Sequence, residues 1–248
     1  MIPLSFAQQR LWFIEQFEGV GALYNMPLPL RFESAPDVAA LEAALRDVVV
    51  RHESLRTVFP ESHGGPVQRV LDSDEVSVGL EVRECGDEAE LRAAVRETAA
   101  HAFDLASDIP IRTWLLREPG GVCVLVLLLH HIAADGRSLG PLLGDLSTAY
   151  AARSRQAAPD WAPLPVQYAD YAVWQRTVLG SAEDPTGELG RQLSHWRGVL
   201  EGLPEELALP YDRPRPAVPS RRGGSVHFDV DAGLDARQVR VGAPCGGW

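Results

Sequence analysis

His130-His131-Ile132-Ala133-Ala134-Asp135-Gly136 brings two imidazoles, a carboxylate and a glycine together within seven residues. An imidazole titrates near neutral pH and can take or give a proton, and a neighbouring carboxylate can orient it. The stretch follows the unbroken apolar run Val122 to Leu129, which reads as a buried strand, and it opens onto Ser138 and a new helical pattern. Reactive groups at the end of a rigid core element are held in fixed geometry, which is how a catalytic loop is built. Successive strand residues face opposite sides, so His130 and His131 are expected to diverge, with His130 in the core. The same residues could be read as metal ligands, since His131 and Asp135 lie four apart. A catalytic zinc site needs a third protein ligand, however, and no HxxxH or CxxC pattern supplies one, so no metal is expected.

The elements that must position this loop alternate between strand and helix. Ser5 with Gln8 forms a capping box ahead of Leu11, Ile14 and Phe17, and Asp37 precedes the stripe Val38, Leu41, Leu45, Val48 and Val49. Arg51-His52-Glu53 closes that second helix as a charged cluster. Met26 to Phe32, Val67 to Leu71 and Val76 to Val82 read as extended, and Asp87 with Glu90 opens a helix running toward His101. Thr113 to Leu116, a Pro-Gly-Gly turn and Val122 to Leu129 predict a hairpin, after which Ser138 is expected to cap Leu139 to Tyr150. A proline-bearing linker, Ala157 to Pro165, leads to helices at Tyr168 to Leu179 and Gly190 to Leu200. Ser225 to Val230 then alternates like a strand.

Composition narrows the function. The chain has 248 residues, is 46% hydrophobic and carries 34 acidic against 23 basic residues, the latter all arginine. A net charge of −11 disfavours nucleic acid or an anionic membrane as partner. No apolar stretch is long enough to span a bilayer, and no basic n-region or signal core opens the chain. Cys85, Cys123 and Cys245 are odd in number and far apart, which points to a reducing, cytoplasmic setting without a disulfide framework. No phosphate-binding glycine loop is present.

Four stretches together resemble the condensation domains of nonribosomal peptide synthetases, which share the chloramphenicol acetyltransferase-like fold. They are Ser5 to Phe13, Arg51 to Phe59, His130 to Gly136 with Ser138, and Tyr168 to Gln175; Tyr24-Asn25-Met26-Pro27 resembles the subtype joining an L-donor to an L-acceptor. The resemblance implies an α/β (α+β) fold with a mixed sheet flanked by helices. Residues 1–175 would form the first of two lobes, and 176–248 the crossover helices and an incomplete start of the second. It further implies an acyltransferase that condenses aminoacyl or peptidyl thioesters, with no directly bound cofactor. The substrates would arrive on phosphopantetheine arms of upstream and downstream peptidyl carrier proteins, and the missing C-terminal lobe would be a third partner. By motif position His131 is the catalytic residue, as general base toward the amine or as a hydrogen-bonding partner of the zwitterionic tetrahedral intermediate. Gly136 would let the backbone approach closely and present an N–H to the oxyanion. His130, Asp135, Arg56 and Arg51 would support the site, Asp135 by pairing with Arg56 or, alternatively, Arg51. Arg51-His52-Glu53 would brace the loop, and Tyr168, Tyr171 and Trp174 would pack at the crossover. A non-catalytic remnant or a carrier-protein docking module is the competing reading.

Overall fold

The structure is a computed structural model that describes residues 1–19, 21–204, 206–207, 209–214, 216, 226 and 228–230. The elements, in chain order, are β1 (Ile2–Pro3), α1 (Phe6–Glu18), β2 (Asn25–Phe32), α2 (Val38–Arg51), a 3-10 turn (Glu53–Arg56), β3 (Thr57–Val58), β4 (Glu61–Ser62) and β5 (Gly65–Val70). After these come β6 (Leu80–Glu84), α3 (Glu88–Ala99), β7 (Ile111–Arg117), β8 (Cys123–His130), α4 (Leu139–Arg153), α5 (Tyr168–Leu179) and α6 (Glu188–Val199). The chain divides into compact units Met1–Leu203 and Pro204–Trp248, so α5 and α6 fall in the first. The described residues of the second contain no helix or strand. Of the strand expected at Ser225 to Val230, Ser225 and His227 lie outside the described residues, and the other four, Val226 and Phe228 to Val230, are in no strand. Asp235 to Arg237 lies wholly outside the described residues.

The main sheet has the order β2-β8-β7-β6. β8 pairs antiparallel with both neighbours, while β6 runs parallel to β7 and is joined to it through α3. All of β8 is buried because helices cover both faces, and this is why its sequence is unbroken rather than alternating. Leu125, Leu127 and Leu129 join a core with Leu41, Leu45 and Val48 of α2 and Leu142 and Leu146 of α4. Val124 and Val126 face Leu91 and Ala94 of α3 on the other side, and Leu128 meets Leu11 of α1 with Phe59 and Phe103. In the β7–β8 hairpin, Gly120 and Gly121 adopt φ of 104° and 93°, the left-handed region open to glycine at little cost. β2 closes one edge of the sheet with Pro27 and Pro29 in its ladder. A smaller sheet holds β5 between β1 and β3, with β4 also on β5.

Local sequence explains the helix starts. The Ser5 side chain accepts from the Gln8 backbone N–H at 3.1 Å, and the Gln8 side chain accepts from the Ser5 N–H at 2.9 Å, completing the expected capping box. Asp37 caps α2 and Asp87 caps α3 without a reciprocal bond, accepting from the Ala40 and Glu90 N–H groups respectively. The strand expected from Val76 begins only at Leu80: Val76 and Val78 pack against the large core without strand pairing. α2 and α4 are tied along the C-terminal part of α2. Arg153 donates two hydrogen bonds to Asp47, at 2.7 and 2.6 Å, and Asp145 accepts from Arg51 at 2.9 Å.

Among the described residues no helix is long and apolar enough to cross a membrane. Cys85 and Cys123 are free and buried.

Truncating the centre of β8 tests this arrangement. Leu127→Ala should destabilise the chain by about 2–5 kcal/mol, read from urea unfolding, because a cavity opens where helices hold the sheet on both faces. A loss below about 1 kcal/mol would show that the strand is not the centre of the core.

Candidate active site

β8 delivers the paired histidines at its C-terminal end, where the loop is tethered on both sides: His130 N–H donates to Pro110 O at 3.0 Å and His131 N–H to Tyr24 O at 2.9 Å. His130 continues the α3-facing parity of Val126 and Leu128 and is completely buried. Its ring lies between Phe103 and Tyr24, with centroids 5.9 and 6.4 Å away. Nδ1 accepts from the Ile132 backbone N–H at 3.1 Å, so in the neutral ring Nε2 carries the proton. Burial, with a smaller contribution from His131, pulls the His130 pKa from 6.5 down to about 4. This imidazole is therefore neutral throughout the physiological range and has no route to a substrate.

His131 is exposed and lines a cleft of about 500 Å³. The cleft is walled by Gln8 and Leu11 of α1, His52 and Ser54 after α2, the loop with Asp135, and Tyr168 of α5. The Tyr168 hydroxyl shares a 3.0 Å hydrogen bond with Ser5 Oγ, and burial raises its pKa despite that bond. Tyr168 thus enters the wall as a neutral phenol. Tyr171 and Trp174 instead stack outward along α5, exposed by 38% and 59%, so the expected aromatic packing stripe is split between site and surface.

Asp135 does not pair with an arginine. Its Oδ1 accepts from the Ser138 N–H at 2.9 Å and from Ser138 Oγ at 2.8 Å, and Ser138 Oγ accepts from the Asp135 N–H at 3.1 Å. This is a reciprocal capping box shifted three residues upstream of the expected Ser138 cap, and Ser138 itself has helical φ and ψ of −69° and −24°. The carboxylate satisfies N–H groups at the start of α4, and the hydrogen bonds from Ser138 pull its pKa below the usual carboxylate value. Arg56 instead donates to Leu71 O and meets Glu53 at 3.4 Å. Arg51 lies against Asp145, Ala162 O and the Trp161 ring. A Cβ placed on Gly136 would meet nothing within 4 Å, and its φ is not in the left-handed region. Neither packing nor backbone conformation within the chain calls for glycine there.

His52 Nε2 donates to Asp145 Oδ2 at 2.7 Å, the same oxygen that accepts from Arg51. The charged cluster at the end of α2 therefore clamps α4, while the His52 ring forms part of the cleft wall. Gln8, Ser54 and Tyr168 were not singled out from sequence as lining groups. The available signal was that all three lie within the quoted motif stretches. Because His130 and His131 face opposite sides of the backbone, they cannot share an ion, and among the described residues no group of three His, Cys, Asp or Glu side chains is placed to hold a metal.

Comparison with known proteins gives a consistent result. The family profile described as "Condensation domain" matches residues 1–241. A probable non-canonical nonribosomal peptide synthetase, CymA, from Salinispora arenicola is 54% identical over 99% of this chain, which spans 3% of that protein. An isonitrile lipopeptide synthase from Mycobacterium tuberculosis is 48% identical over 97% of the chain and is covered over 10% of its length. Among solved structures, the X-domain from teicoplanin biosynthesis superposes with a TM-score of 0.86 at 39% identity, covering 99% of this chain and 53% of that one. The chain thus spans small fractions of the curated relatives and about half of the solved domain.

Two outcomes follow from the loop geometry. Below pH 6.5 an unfolded chain protonates His130 while the folded chain resists until about pH 4. Stability should therefore fall as pH drops through that window, by on the order of 3 kcal/mol from this group. His130→Phe should flatten that slope in paired melting curves, and parallel slopes would show that His130 ionises freely. Asp135→Ala should cost about 1 kcal/mol, the value of a helix cap, rather than the ~3–5 kcal/mol of a stranded buried arginine. Urea denaturation separates the two magnitudes.

Proposed function

Because the chain belongs to the condensation-domain family, we propose that it supplies one wall of a site where two carrier-tethered thioesters are joined by a peptide bond, from an L-configured donor to an L-configured acceptor. The observation that carries this reading is the divergence of the paired histidines: His130 is sealed in the core and His131 opens onto the cleft. A thioester is already an activated acyl donor, so the protein has two tasks. It must align amine and carbonyl, worth about 7–11 kcal/mol as effective molarity, and it must handle one proton.

In the proposed step the acceptor amine attacks the donor thioester carbon. The C–N bond forms and the carbonyl becomes a tetrahedral oxyanion while nitrogen is still ammonium-like. His131 takes that proton, or holds it by hydrogen bonding as the zwitterion collapses. The C–S bond then breaks, the amide forms, and the departing sulfur leaves as a thiol carrying the proton. The Gly136 backbone N–H is assigned to the oxyanion; a glycine that the fold itself does not require suits a position that a substrate approaches. Asp135 and Ser138 fix the far end of the loop, and Tyr168 places a neutral hydroxyl on the opposite wall. The pantetheine arms belong to the carrier proteins and act as substrate handles. Asp145, Arg51 and His52 hold α2 and α4 at the separation that the cleft needs.

The competing reading, a docking or recruitment module without chemistry, draws on the likeness to the X-domain, one structure of which is a complex with OxyB. Dipeptide formation on loaded donor and acceptor carrier proteins distinguishes the readings. In a complete two-lobed protein containing this sequence, His131→Ala should lower turnover by about 10²–10⁴-fold and His130→Ala should act through stability. Equal losses at matched folded fractions would overturn the assignment. The 248-residue chain alone should give no condensation, since alignment needs both walls, and addition of a second lobe should restore it. Turnover by the unassisted chain, abolished by His131→Ala, would show that one lobe suffices.

A further inference from the structure

Behind the loop, on the α3 face of the main sheet, three polar side-chain atoms are buried without a protein partner: Asn25 Oδ1, His101 Nε2 and His130 Nε2. Their grouping follows from the backbone. Asn25 stands directly opposite His130 across the β2–β8 ladder. Residues so paired project to the same face with Cβ atoms about 4.5–5.5 Å apart. The Asn25 amide nitrogen donates to Ala99 O at 2.9 Å and His101 O at 2.6 Å, which draws the end of α3 and the following residues to the same place. Phe103 bridges the two imidazoles, with its ring centroid 4.9 Å from that of His101 and 5.9 Å from that of His130.

For Asn25 and His130, donor and acceptor roles are settled by the bonds already made. Two carbonyl acceptors fix the Asn25 amide with its nitrogen toward α3, leaving Oδ1 as an acceptor that needs a donor. His130 Nδ1 is occupied as acceptor for the Ile132 N–H, leaving Nε2–H as a donor that needs an acceptor. The two are complementary yet make no direct bond. Leaving both unpaired in a dry core is costly, and a small molecule that accepts and donates at once removes both deficits. Buried waters do this, typically with about three hydrogen bonds each.

We propose that Asn25, His101 and His130 form a buried water site behind the catalytic loop. The water accepts from His130 Nε2–H and donates to Asn25 Oδ1, and His101 Nε2 supplies the third partner. Its role is to hold His130 in the Nε2–H tautomer, which keeps Nδ1 available to the Ile132 N–H and so sets the first turn after His131. Asn25 is thereby a positioning residue for the loop. The site stands whether or not the chain condenses thioesters, and its test uses no activity.

The experiment is a long-range proton–nitrogen correlation spectrum of the ¹⁵N-labelled 248-residue chain, with water-selective cross-relaxation, recorded between pH 7 and 5. The expected result is His130 as the Nε2–H tautomer throughout, with a water cross-peak at its Hε2 proton. Asn25→Leu should abolish or sharply weaken that cross-peak. An Nδ1–H tautomer, or an Nε2–H proton without contact to water in the unsubstituted chain, would overturn the proposal even if Asn25→Leu does not fold. A cross-peak unchanged in folded Asn25→Leu would remove Asn25 from the site.

Discussion

Burial of β8 on both faces is the constraint on which the rest of the site depends. A strand covered by α2 and α4 on one side and α3 on the other has no freedom to slip, because a shift of one residue would exchange every side chain between the two cores. The parity that sends Leu125, Leu127 and Leu129 to one face of the sheet and Val124, Val126 and Leu128 to the other therefore also decides the histidines. His130 inherits the interior and pays for it with a strongly lowered pKa. His131, one peptide further, inherits the cleft. Two chemically identical side chains acquire different jobs from register alone.

The loop between these fixed points is held like a cord tied at both ends. Tyr24 O and Pro110 O fasten its start, and the reciprocal Asp135–Ser138 bonds fasten its finish to α4. α4 is in turn locked to α2 by Asp145 and Arg153. The opposite wall is fixed from a distance in sequence: Ser5 meets Tyr168, and Arg176 donates to Leu4 O at 2.8 Å. Preorganisation of this kind suits a reaction whose barrier is lowered mainly by alignment, since the walls need not rearrange to receive a substrate.

How much of this was legible in the sequence depended on whether the signal was local. The Ser5–Gln8 box, the Asp37 and Asp87 caps, the β7–β8 hairpin and the span of α5 follow from patterns within a dozen residues, and the structure places them as read. The opposed histidines follow from strand parity. Asp135 was misassigned because pairing with an arginine is a long-range claim, while its competitor, Ser138, lay three residues away with a hydroxyl and a free N–H. Ser138 does stand immediately before α4 as expected, but its hydroxyl turns back to Asp135 and makes no capping bond to the helix. The motif stretch that contains Tyr168 does not by itself place it in the cleft wall, because that place is set by Ser5, 163 positions upstream in sequence. The buried trio of Asn25, His101 and His130 likewise exists only once β2, β8 and the end of α3 are side by side.

The prolines of β2 carry a consequence for how this protein can meet others. An edge strand offers a row of N–H and C=O groups to any extended segment that passes, and uncontrolled growth of the sheet begins there. Pro27 and Pro29 have no N–H to offer, so the rim is missing donors at two positions along an eight-residue strand. A foreign strand laid against it would find an interrupted ladder. The sheet is therefore guarded on that side by composition, and along the β2 rim recognition is left to side chains and shape, where partners can be told apart, in place of backbone pairing, which is blind to sequence.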